Sequence, residues 1–225
     1  MIGSPTPIGR EPELATARAT LDAAATGPAA LVLYGPAGIG KTTIWRALRD
    51  EAAERGFLVM STRAVETEAQ LAFNGLADLL DPWIDDVIDR LPPAQRSAIE
   101  VALQRVPVGD SAPPPLAVSL ATLASLRARA EGSPLMIAID DLPWLDGPSA
   151  KVLEYALRRV EGMRVAFVAA VRVGETDALP PSASVAAFEG PVGTLRIGPL
   201  GLDAIDGLIQ RHLGLELRRP MLMRV

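Results

Sequence analysis

The sequence predicts an α/β fold, a parallel sheet covered by helices on both faces. Two observations lead there. Short β-like runs alternate along the chain with longer segments of helical spacing, and the runs are apolar at nearly every position, as strands buried on both faces must be. The runs are 30–34 (ALVLY), 57–62 (FLVMST), 135–139 (LMIAI), 165–171 (VAFVAAV) and 194–197 (TLRI), so five strands are expected. Helices are expected at 11–25, 41–55, about 70–80, 94–106, 116–131, 148–160 and 202–213. Leu116, Leu120, Leu123 and Leu126 follow the helical period, as do Ile99, Ala102, Leu103 and Val106, and both sets read as core faces. The stretch 63–134 holds about three of these helices, with PVGDSAPPPL (107–116) as an extended break between two of them.

Composition narrows the function. At 225 residues and 49% hydrophobic, the chain can bury a full-sized core as one main domain. It has no cysteine, which removes disulfides, thiolate metal sites and cysteine nucleophiles and suits a reducing, cytoplasmic setting. His212 is the single histidine, so no histidine zinc site is available, and its apolar neighbours mark it as a helix-boundary residue. The net charge of −5 is not that of a chain gripping nucleic acid through phosphates. Arg211, Arg218, Arg219 and Arg224 are too sparse to change that and read as a solvated helix face. The N-terminus lacks a basic region followed by an apolar one, and no apolar run approaches membrane-spanning length. Asp78, Asp81, Asp85, Asp86 and Asp89 crowd around Pro82 and Trp83 as the wet side of a helix start, not as a metal cluster. After Pro220 too few residues remain to hold a helix, so a longer protein is expected.

One segment carries chemistry. Lys41 and Lys151 are the only lysines in an arginine-rich chain, and Lys41 lies in GPAGIGKTT, directly after an apolar run and before a helical one. Gly35, Gly40, Lys41 and Thr42 satisfy G-x-x-x-x-G-K-[ST] in the strand-to-helix context that this motif requires. The glycines let the backbone turn its N–H groups inward around a phosphate, and the helix N-terminus adds partial positive charge. The cradle comprises Gly35, Pro36, Ala37, Gly38, Ile39, Gly40, Lys41, Thr42 and Thr43. Lys41 is expected to reach the β- and γ-phosphates, a place for one compact charge that a planar guanidinium does not fill well. Thr42 is expected to offer its hydroxyl to Mg²⁺. The run at 135–139 delivers Asp140 at its carboxyl end, where open α/β sheets bind ligands. Asp140 is therefore the expected Mg²⁺ ligand, through water, and Asp141 the group expected to orient an attacking water. Arg172 ends the fourth run and is expected to contact the γ-phosphate and report its presence.

These residues resemble a known group. VLYGPAGIGKTT, IAIDDLPWLD and AAVR, preceded by IGREPEL at 8–14, look like the nucleotide-binding region of the signal-transduction ATPases with numerous domains, an AAA-like branch of the P-loop NTPases. Within it they are most similar to the large ATP-binding LuxR-type transcriptional regulators, over about 8–213. The resemblance implies a sheet order of 5-1-4-3-2, with Arg172 on the strand between those of the glycine loop and the acidic pair. It implies that Ile8, Gly9 and Arg10 lie near the adenine and ribose, and that Pro199, within GPL at 198–200, opens a helical lid. The implied division is a nucleotide-binding domain at 1–198 and the start of a lid at 199–225. The family's glycine-glycine-asparagine-proline lid motif and its C-terminal helix-turn-helix are not within these residues.

The expected function is a switch that binds ATP (or ADP) and Mg²⁺ and hydrolyses ATP slowly. Self-association in the ATP state is a further expectation, and DNA would be contacted only through a C-terminal domain outside this chain. The alternative is a continuously working AAA-type motor or loader. Asp141 favours the switch, because many fast P-loop hydrolases carry the longer glutamate there. A small-molecule kinase would need a lid of arginines, and an ABC-type cassette would need a serine-glycine-glycine signature between 43 and 135; neither is present.

Overall fold

The computed structural model describes residues 7–107, 113–174 and 183–213. Five parallel strands form one sheet: β1 (Ala29–Gly35), β2 (Leu58–Arg63), β3 (Leu135–Asp140), β4 (Val165–Arg172) and β5 (Val192–Arg196). Their order is β2-β3-β4-β1-β5, the implied 5-1-4-3-2 arrangement read from the other edge. The helices are α1 (Glu11–Ala24), α2 (Lys41–Glu54), α3 (Asn74–Leu80), α4 (Pro93–Ala102), α5 (Pro115–Ala130), α6 (Gly147–Leu157), α7 (Ala183–Ala186) and α8 (Leu202–Leu213). None of the described helices is long and apolar enough to cross a membrane. Residues 214–225, with Arg218, Arg219, Arg224 and the break at Pro220, lie outside the described residues, as does the side chain of His212.

The alternation of side chains along each strand divides the core in two. Leu31, Leu33, Met136, Ala138, Ala166, Val168 and Ala170 face α1 and α2, which answer with Leu14, Leu21, Ile44, Trp45 and Leu48. Val32, Ile137, Ile139, Phe167, Ala169 and Val171 face the opposite way, onto α3 to α6. Both faces of β3 and β4 are thus covered, which is why their sequences are apolar without a break. The helix starts follow local chemistry: Pro12, Pro93, Pro115 and Pro148 occupy first-turn positions whose N–H has no helical partner, and Glu11 and Glu13 favour the positive end of α1.

Three expectations are corrected. The helix expected at 94–106 ends at Ala102, because Gln104 takes a left-handed backbone with φ 57°, and Val106 is exposed. Leu116 is exposed at the first turn of α5 and Leu120 only half-buried, so the core face of that helix runs through Val118, Ala121, Thr122 and Ser125, joined by Leu123 and Leu126. The helix expected from about 70 begins at Asn74, after a left-handed Phe73 with φ 63°. Of the break at 107–116, residues 108–112 lie outside the described residues, and helix resumes at Pro115. The acidic stretch is exposed and tied by arginines: Arg105 bridges Asp81 and Asp85, Arg129 pairs with Asp86, Arg96 with Asp89, and Asp78 accepts from Thr62.

The position of α3 depends on a buried acid at the start of α6. Asp146, 3% exposed, accepts from Ser149 N–H in its own helix and from Phe73 and Gly75 N–H at the start of α3, all within 3.0 Å. Ser149 Oγ accepts from Leu76 N–H at 2.8 Å. Two helix N-termini therefore share one carboxylate. Gly75 leaves room for the approach: a Cβ there would lie 2.3 Å from Leu145 Cδ1, so that side chain would have to shift. Replacing Asp146 by Ala should strand three donors, two of them buried, and lower the unfolding free energy by about 2–4 kcal/mol, with Asp146→Asn losing less, measurable as shifted urea midpoints.

Candidate functional site

The site forms where β1, β3 and β4 end and α2 begins. Gly35 closes β1 so near the β5 side that a Cβ would meet the Ile197 carbonyl at 2.8 Å. Gly38 and Gly40 turn the loop with φ 74° and 104°, and Gly40 serves as the residue before α2. The N–H groups of Ala37, Gly38, Ile39 and Gly40 donate to no acceptor among the described residues. A loop with its N–H groups unspent at the head of a 14-residue helix is an anion receptor.

Lys41 is 6% exposed, and its Nζ donates to the Gly35 and Pro36 carbonyls at 3.0 and 2.8 Å. Burial lowers its pKa from the ordinary 10.5; nearby Arg172 pushes the same way, while Asp141 and Asp140 oppose it. Thr42 Oγ1 donates to Asp140 Oδ2 at 2.9 Å. That bond spends the hydroxyl proton on the acid and leaves the oxygen lone pairs for a cation. Asp140 is 1% exposed, and its Oδ1 is buried with no hydrogen-bond partner among the described residues. An orphaned carboxylate oxygen beside a hydroxyl fits Mg²⁺, which takes one or two protein ligands and completes its shell with phosphate and water.

Asp141 follows in a left-handed conformation, φ 54°, and its carbonyl starts a tight turn by accepting from Trp144 N–H at 2.9 Å. Its Oδ2 lies 3.9 Å from Arg172 Nη2 at the end of β4. Lys41, Thr42, Asp140, Asp141 and Arg172 are thus brought together, as expected from their places on the sheet. Thr43 sits exposed in the first turn of α2.

The N-terminal residues lie between the glycine loop and α8. Arg10 is 5% exposed, and its guanidinium donates to Glu13 at 2.7 Å, to the Gly198 carbonyl at 2.9 Å and to the Ile39 carbonyl of the glycine loop at 2.7 Å. Its charge therefore holds protein segments together. Ile8 and Gly9 pack on α8: a Cβ on Gly9 would fall 2.2 Å from Ala204 Cβ, and one on Gly207 would lie 3.4 Å from Ile8 Cγ2. Pro199 is exposed beside Gly198. The sequence reading missed Arg63, the last residue of β2, which pairs in register with Asp140 and holds Nε 3.7 Å from its Oδ2. Its only signal was a basic residue directly after a β-like run.

Comparison with known proteins agrees with this geometry. The sequence profile of the family described as AAA ATPase domain matches residues 6–168. No curated protein matches the chain. Among solved structures, the Aeropyrum pernix ORC1 protein in complex with DNA is similar at TM-score 0.57 and 15% identity, over 91% of this chain and 49% of that one. Cdc6p from Pyrobaculum aerophilum gives TM-score 0.57 and 14% identity over 92% and 50%. AMPPCP-bound DnaA from Aquifex aeolicus gives 0.51 and 15% over 100% and 60%. The chain thus spans from about half to three fifths of these structures, and identities this low speak for the fold alone. With the loop, the acidic strand and the sheet order in place, the chain belongs to the AAA ATPase domain family and is a nucleotide-binding P-loop domain.

Proposed function

We propose that this domain is an ATP- and Mg²⁺-binding regulatory switch with slow hydrolysis, and that it forms the nucleotide-binding part of a LuxR-type transcriptional regulator. The observation that carries the slow-switch reading is Asp141. The acid after the buried aspartate is one methylene shorter than a glutamate, sits on a left-handed residue locked into a turn, and lies 3.9 Å from Arg172. Its reach toward a water beside the terminal phosphate is therefore short.

The remaining roles follow from position. The loop 35–43 receives the phosphates through its free N–H groups, and Lys41 exchanges the Gly35 and Pro36 carbonyls for phosphate oxygens. Thr42 and Asp140 hold Mg²⁺, which when bound neutralises phosphate charge. Asp141 orients water, and Arg172 reads the terminal phosphate from its exposed position on the rim. Ile8, Gly9 and Pro199 border the base and ribose, while Arg10 fixes the loop at their side. The lid begins after residue 198 with α8. ATP-dependent self-association, and DNA contact through a domain outside this chain, belong to the same reading.

Replacing Lys41 by Ala should remove measurable ATP affinity in calorimetric titration while leaving the circular dichroism spectrum and thermal transition near wild type. A pH series tests the same group. Free Lys41 loses its proton below 10.5, whereas phosphate keeps the bound form charged, so binding takes up a proton and affinity should fall as pH rises toward 10.5; a flat profile contradicts the assignment. Steady-state hydrolysis by the chain should stay below about 1 s⁻¹, and a faster rate would mark a continuously working motor or loader instead.

A further inference from the structure

Two arginines flank the acidic end of β3. Arg172 stands at the end of β4 on one side, and Arg63 at the end of β2 on the other. The strand register sets Arg63 beside Asp140, and Ala64 N–H donates to the Asp140 carbonyl at 3.1 Å, so the pairing holds through the last residue of the strand. The Arg63 side chain is 58% exposed, yet its Nε is 3.7 Å from Asp140 Oδ2, the oxygen that also accepts from Thr42. At that distance the contact is an ion pair without a hydrogen bond. It lends positive charge to the acid and imposes little geometry.

Asp140 is open to that charge. It is 1% exposed, its Oδ1 has no hydrogen-bond partner among the described residues, and its Oδ2 accepts from the Thr42 hydroxyl alone. A divalent ion at the same carboxylate would satisfy it better, but would face the guanidinium as a like charge at short range. Thr42 is fixed to α2 and Asp140 to β3, both half-buried or buried. Arg63 is long, over half in solvent and held by no hydrogen bond among the described residues, so it is the group able to leave.

We propose that Arg63 is the counter-ion that Asp140 exchanges for Mg²⁺: guanidinium and metal compete for one carboxylate, and Arg63 thereby sets the Mg²⁺ concentration at which the nucleotide site loads. This rests on the assignment of Thr42 and Asp140 as the metal site. Arg63 is a positioning residue in this scheme, acting through Asp140 and touching neither nucleotide nor metal.

The experiment is a Mg²⁺ titration of ATP binding by the whole chain, followed by calorimetry, with Mn²⁺ binding in the presence of ATP followed by electron paramagnetic resonance. Arg63→Gln should lower the Mg²⁺ midpoint and tighten Mn²⁺ by about threefold to tenfold, a modest range because the arginine is more than half exposed. Arg63→Lys, which keeps the charge, should stay within about twofold of wild type. An unchanged midpoint in Arg63→Gln overturns the proposal. So does a midpoint moved to higher Mg²⁺ with loss of ATP affinity in EDTA, which would make Arg63 a phosphate ligand. A wild-type chain whose ATP binding ignores Mg²⁺ overturns the metal site itself and this inference with it, so the two failures are told apart.

Discussion

The hydrogen bond from Thr42 to Asp140 is the contact on which the site depends. It joins the first turn of α2 to the last residue of β3, two elements 98 residues apart in the chain. Everything beneath it serves that closure. The sheet order puts β4 between β1 and β3, so the glycine loop must reach across one strand to meet the acid. It can do so because α2 starts directly from Gly40, with no linker to absorb error. The cost is a carboxylate almost out of solvent, with one oxygen left without a hydrogen bond among the described residues. The lysine, the arginines and the unsatisfied oxygen of this region all follow from that one burial.

Much of this architecture was legible in the sequence. All five strands lie within two residues of their expected limits: β1, β3 and β4 are apolar and buried almost throughout and stop where a charged or turning residue stops them, while the edge strands β2 and β5 are more exposed and mix polar residues with apolar ones. Asp140 and Arg172 were legible because each follows immediately upon an apolar run, and Lys41 and Thr42 because the glycine-loop motif links the first run to the helix that they open. Helix limits were less accessible. Phe73 and Gln104 adopt left-handed backbones without being glycine, and a pattern of apolar spacing carries no trace of that. Leu116 keeps the helical period of its neighbours but falls in an exposed first turn, where period alone misleads.

What the sequence hid was partnership at a distance. Arg63 was only a charge after a strand until the register between β2 and β3 set it beside Asp140. Asp146 was one more acid in DDLPWLD, although it captures N–H groups from a helix some seventy residues earlier. Both depend on which strand or helix comes to lie alongside, a choice made by packing and not by local propensity. The acidic stretch around Trp83 divides the two cases: that its carboxylates face water could be read without the fold, while the arginines that pair with them, such as Arg105 and Arg129, are brought there by packing.

Arg10 spans a separation of 188 residues, with one nitrogen on the backbone at Gly198 and another on the glycine loop at Ile39. A planar guanidinium cannot stretch, so while both bonds last it holds these two pieces of backbone at a fixed spacing. Chain that follows Gly198 is thereby tethered to the phosphate cradle by one side chain, along a route that does not pass through the sheet.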